Sequence, residues 1–99
     1  MTLRISPDVA TILEEDPTGA ASELGGGGPV LYVARLPAGP IHLFGGSALA
    51  IWDLADGRTP EEIVSEVAAT YGLEPLTVRA DVLAHLDALR RDGLVEDAE

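Results

Sequence analysis

Few residues in this chain of 99 could carry chemistry, and the types that are missing narrow its function as much as those present. There is no Cys and no Lys, which excludes disulfides, thiolate metal sites, Cys nucleophiles, Schiff-base chemistry and a P-loop. Two histidines remain, His42 and His85. Without a third ligand nearby they make a poor metal site, so both read as surface or groove-lining residues. Glu61, Glu62 and Glu66 read as charges of a helix N-terminus and a solvated face, not as an acid-base pair. No residue set supplies both a nucleophile and its activating base. The expectation is a protein that is not an enzyme, with no catalytic residue, no cofactor and no metal.

Such residues must be positioned by a single small fold, because a chain this short cannot divide its apolar residues between two cores. Residues 1–99 are therefore expected to form one domain. Hydrophobic residues make up 46% of the chain and fall in periodic runs, while eleven Gly and seven Pro imply irregular stretches between them. No apolar run approaches the roughly 20 residues that span a bilayer, and no secretory signal is recognisable, so no membrane partner and a cytoplasmic location are expected. The formal charge of −11, from six Arg against seventeen Asp and Glu, repels phosphate backbones. Nucleic acid is not an expected partner.

Along the chain, Leu3–Ile5 and Val9–Leu13 are apolar stretches separated by a Ser6-Pro7-Asp8 turn, and Val9–Glu14 is predicted as the first strand. Glu15–Pro29 turns acidic and small and ends in four Gly, which predicts a flexible loop. Val30–Leu36 is β-branched and aromatic between two Pro, a strand with Val30, Tyr32, Ala34 and Leu36 on one face. Ile41–Phe44 follows at hairpin distance and should pair with it antiparallel, giving three strands at most. The period then changes. Ala48, Ile51, Trp52 and Ala55 recur at helical spacing after Ser47, a candidate N-cap, with Trp52 in the core and Gly57 ending the helix. Thr59-Pro60-Glu61-Glu62 is a capping box opening a second helix, with Ile63, Val64, Val67, Ala68 and Tyr71 on one stripe and Gly72 past its end. A third helix runs from about Pro75 to Asp92 on Val78, Val82, Leu86 and Leu89, closed by Arg90, Arg91, Gly93 and Leu94. Strands first and helices after argue for an α+β domain, winged helix-turn-helix-like, in which an N-terminal antiparallel three-stranded sheet precedes three helices.

The run from His42 to Val64, with its "IWDLADGRTPEEI" centre, and the tail from Val78 to Val95, "VRADVLAHLDALRRDGLV", together resemble the PqqD-like family. That family includes the precursor-peptide recognition elements of lasso-peptide, radical-SAM and other ribosomal-peptide pathways. The resemblance covers about residues 30–95. It implies a peptide chaperone of natural-product biosynthesis that binds the leader of a precursor peptide as an added strand and presents it to a modifying enzyme, such as a leader peptidase or a radical-SAM enzyme. It places the peptide on the exposed edge of Ile41, His42, Leu43 and Phe44, in a groove closed by the third helix around Arg79, Val82, Leu83 and Leu86. Leu83 and Leu86 widen the helix's apolar surface beyond one stripe, so one of the pair is expected in the groove. Arg79 and Arg90 could meet an acidic leader segment, or serve as ordinary surface and dipole charges.

Two other functions compete. A winged-helix transcriptional regulator shares the outline, but the net charge and the lack of a basic recognition helix count against it. An acyl or peptidyl carrier would bear a phosphopantetheine on a Ser at a helix start. Ser47, however, follows Gly45-Gly46 and a strand where carriers have Asp after a helix and long loop.

Overall fold

The computed structural model describes residues 2–19, 23, 26 and 28–98. In chain order they form β1 (Thr2–Ile5), β2 (Val9–Glu14), β3 (Val30–Arg35), β4 (Ile41–Gly45), α1 (Ser47–Leu54), α2 (Pro60–Tyr71), α3 (Pro75–Arg91) and β5 (Val95–Ala98). The α+β class and the three helices are as expected. The sheet count is corrected: five strands lie in two sheets, β1-β5 and β2-β3-β4. Of the loop expected over Glu15–Pro29, residues 20–22, 24, 25 and 27 lie outside the described residues, and Pro17 is buried.

The chain divides into two compact units, Pro7–Ala50 and the residues before Pro7 together with those from Ile51 onward. The first unit is the three-stranded antiparallel sheet. Its register sets Ala10 opposite Ala34 and Ile12 opposite Tyr32, and on the far side Ala34 opposite Ile41 and Tyr32 opposite Leu43. Because side chains alternate across a strand, these residues share one face, and Leu31, Val33, His42 and Phe44 share the other. Val33 is wholly buried and Leu31 and Phe44 nearly so, whereas Ile12 is 70% and Ile41 67% exposed. Of the Val30, Tyr32, Ala34 and Leu36 row predicted for β3, Tyr32 and Ala34 are half-buried and Leu36 is exposed, while Val30 at the start of the strand is fully buried. β2 is exposed along almost its whole length.

In the second unit the two ends of the chain pair, Thr2 opposite Ala98 through Ile5 opposite Val95. Leu3 is fully buried, and its backbone is also held by the α1–α2 turn: its N–H donates to the Arg58 carbonyl at 2.8 Å and its carbonyl accepts from Gly57 N–H at 2.7 Å. Gly57 has φ +87°, a conformation that a side chain disfavours. The Ser6 hydroxyl donates to the Gly93 carbonyl at 2.8 Å, which ties the end of β1 to the turn after α3.

Local sequence explains the helix boundaries. The Thr59 hydroxyl accepts from Glu62 N–H while the Glu62 carboxylate accepts from Thr59 N–H, the reciprocal capping box that the spacing predicted. The end of α3 is a Schellman turn, with Gly93 N–H donating to the Arg90 carbonyl and Leu94 N–H to that of Leu89. α2 and α3 pack against each other, burying Ile63, Val64, Val67 and Ala68 on one and Val82, Leu86 and Leu89 on the other. Two stripe residues depart from expectation: Tyr71, in the last turn of α2, is 48% exposed, and Val78 is only half-buried. Ser47 is the first helical residue of α1 and not its cap. Gly46 takes the position before it at φ +58°, and its carbonyl accepts from Ala50 N–H. Trp52 is core, as expected, at 4% exposure.

Candidate functional site

β4 lies at one edge of its sheet. Among the described residues it pairs only with β3, so its second row of backbone N–H and C=O groups faces away from the ladder. A strand with one open edge can accept an extended peptide through main-chain hydrogen bonds, while side-chain pockets select its sequence. Ile41 and Leu43 point to the open face and are exposed; Phe44 is buried and His42 half-buried on the other. The His42 and Phe44 rings stack at a centroid distance of 6.2 Å. The strand runs one residue beyond the predicted Ile41–Phe44, through Gly45, a residue whose low strand propensity hides it from a propensity reading.

The helix residues assigned by resemblance lie in the other unit, on α3. Val82 is 2% exposed and Leu86 fully buried, so both are held in the α2–α3 packing. Leu83 is partly exposed, and it is the member of the Leu83/Leu86 pair with surface to offer. Arg79 is engaged by Glu61 of α2 through two nitrogens, and that carboxylate holds the guanidinium proton more firmly than usual. Arg90 donates to Asp87 and Asp97. Both guanidiniums already have carboxylate partners within the chain, which weakens the case for an acidic leader. It equally removes them from any phosphate-binding stripe.

His85, also on α3, is half-buried, and desolvation pushes its imidazole below the usual value, favouring the neutral form. Among the described residues no group of three or more His, Cys, Asp or Glu is placed to hold a metal ion. Nor is any helix among them long and apolar enough to cross a membrane.

Comparison with known proteins agrees with this architecture. The model of the family described as coenzyme PQQ synthesis protein D (PqqD) matches residues 31–95. The chain belongs to the PqqD family. It is also similar to a solved structure, TbiB1 in complex with the TbiA(beta) leader peptide, with 26% identity and a TM-score of 0.73, over 97% of this chain and 98% of that one. No curated protein matches it.

Proposed function

We propose that this protein binds the leader segment of a ribosomally made precursor peptide and presents it to the enzyme that processes that peptide, without catalysing a reaction itself. The observation that carries the reading is the open edge of β4 in a PqqD-family chain whose fold matches, over nearly its whole length, a protein solved with a leader peptide bound. The leader adds as a strand beside Ile41–Phe44. Its main-chain bonds give affinity that depends little on sequence, and apolar leader side chains give selectivity, with Leu83 the α3 residue that has surface to offer such a contact. Arg79 positions α3 against α2 through Glu61, and Val82 and Leu86 hold the helix from below. In this reading residues 1–99 work as one recognition domain.

Neither competing function has comparable support. Four of the six Arg, namely Arg4, Arg35, Arg79 and Arg90, form ion pairs with carboxylates of the chain, an arrangement unsuited to DNA. Ser47 begins a helix straight after a strand and one glycine, with no loop in which a prosthetic group would be attached.

A proline scan tests the strand-addition mode. Successive residues of an antiparallel strand alternate in the direction of their N–H, so of His42 and Leu43 one donates towards β3 and the other outwards. Proline at the outward residue removes a bond to the leader and leaves the β3–β4 ladder whole. One of the two variants should keep the parent's melting temperature yet bind a fluorescent leader at least tenfold more weakly by anisotropy. If the variant that melts like the parent also binds like it, the leader does not pair with β4.

A further inference from the structure

Strand addition uses the edge of β4, and most of the open face of the three-stranded sheet lies away from that edge, on β2 and β3. Ile12, Tyr32 and Leu43 form one cross-strand row on it, and Ala10, Ala34 and Ile41 the next. The two alanines are the small members of the second row. Between the larger Ile12, Tyr32, Ile41 and Leu36 they leave a shallow hollow of about 260 Å³, lined almost entirely by apolar side chains. Ile12, Ile41 and Leu36 are 70%, 67% and 54% exposed. Exposed apolar residues that cluster on one face in this way make it a candidate interaction site.

Charge decides what covers it. Glu14 follows Ile12 on the same face of β2, and Glu15 and Asp16 continue exposed beyond it. Arg35, the cation next in sequence to Ala34 and Leu36, is bonded to Asp8 at 2.9 Å. A second copy would bring an identical acidic margin and a further formal charge of −11, which disfavours self-association. A complementary surface presents one apolar side chain to the alanine-floored hollow and basic residues to the Glu14–Asp16 margin.

We infer that this face docks the processing enzyme through such an apolar knob with a basic rim. The inference rests on the proposed function and adds to it a second surface, centred on β2 and β3 and adjoining the peptide's edge at Ile41. One chain can then hold leader and enzyme at once. The leader pairs with the edge of β4 while the enzyme covers mainly the face of β2 and β3, so the two contact sets meet only at Ile41, which lines the hollow from β4.

The test uses the full chain, a labelled leader, and the purified processing enzyme encoded beside the precursor. Ile12→Glu charges the face at a residue far more exposed than buried, and Ala34→Leu fills the hollow from its floor; circular dichroism confirms that each is folded. Both variants should bind the leader within twofold of the parent and the enzyme at least tenfold more weakly by calorimetry. Enzyme binding by the parent should also weaken as salt is raised. Enzyme affinity unchanged in both variants would overturn the inference, as would a parent that binds leader but not enzyme. Loss of leader binding in Ile12→Glu would place the peptide on this face instead, and a parent that sediments as a dimer dispersed by Ile12→Glu would place a second copy there. A parent that binds no leader at all refutes the proposed function, a result distinct from each of these.

Discussion

Leu83 and Leu86 stand three residues apart on one helix and should fail in opposite ways. Leu86 has no exposed surface, so Leu86→Ala forfeits the whole transfer free energy of the removed atoms and leaves a cavity in the α2–α3 packing. At fully buried sites that costs about 3 kcal/mol. A domain of this size loses roughly 4–8 °C of melting temperature per kcal/mol, so a drop of about 15 °C is expected. Leu83 is partly exposed, and its truncation forfeits only part of the transfer term, about 1 kcal/mol, for a shift near 5 °C. The ranking reverses in binding. Leu83→Asp puts a charge where an apolar leader side chain would anchor, a loss of about 2 kcal/mol or thirtyfold in affinity. Thermal melts followed by circular dichroism give the first ranking and leader anisotropy the second. If Leu86→Ala melts with the parent, or Leu83→Asp stays folded and binds like it, the assignment of the two faces of α3 is wrong.

Thr59→Ala removes the hydroxyl half of the α2 capping box and should cost about 1 kcal/mol, read as a melting temperature about 5 °C lower with leader affinity unchanged at temperatures well below the transition. His85 gives the stability curve a pH limb. Its folded-state value is depressed by burial, so its contribution is fully present above the ordinary histidine value and is lost as pH falls through that value to the folded one. The parent should therefore melt progressively lower from about pH 7.5 to pH 5.5, and His85→Gln should flatten that limb. A parent whose melting temperature does not fall over this range contradicts the burial of His85. Leader binding should change less than about twofold between low and moderate salt, since Arg79 and Arg90 are already engaged by carboxylates. A steep decline with salt would mean that these arginines exchange their partners for an acidic leader.

The parts of the fold that the sequence foretold are those fixed within one or two helical turns. Thr59 and Glu62 are three apart, and Arg90, Gly93 and Leu94 carry the α3 terminus between them, so residue types alone specify those hydrogen bonds. β1 and β5 lie beyond such reach. Their partners, Thr2 with Ala98 and Ile5 with Val95, come from opposite ends of the chain, and Val95-Glu96-Asp97-Ala98 is too acidic to look like a strand. β3 hid its orientation for another reason. Val30 to Ala34 is apolar at every position, so alternation reveals which residues share a face but not which face is covered. Gly46 displaced Ser47 as the cap of α1 because the backbone there needs a positive φ. At the candidate site the edge strand could be read from its hairpin spacing. The engagement of Arg79 could not, because Glu61 lies eighteen residues away on another helix.

Recognition by this domain divides between backbone and side chain. A chain with −11 formal charge and most of its arginines in internal ion pairs has little capacity to select an acidic peptide by charge. The open edge of β4 selects almost nothing by itself, because any extended peptide offers the same main-chain groups. Selection must then come from a few apolar contacts, and these reject a wrong leader by only about 1–3 kcal/mol per missing side chain. Under the proposal that an enzyme is held to the same module, discrimination that modest is enough, since both binding events would have to succeed on one chain. A second surface for the enzyme raises its local concentration at the bound precursor. In that arrangement selectivity comes from the two bindings together, and the recognition domain itself can remain tolerant of leader sequence.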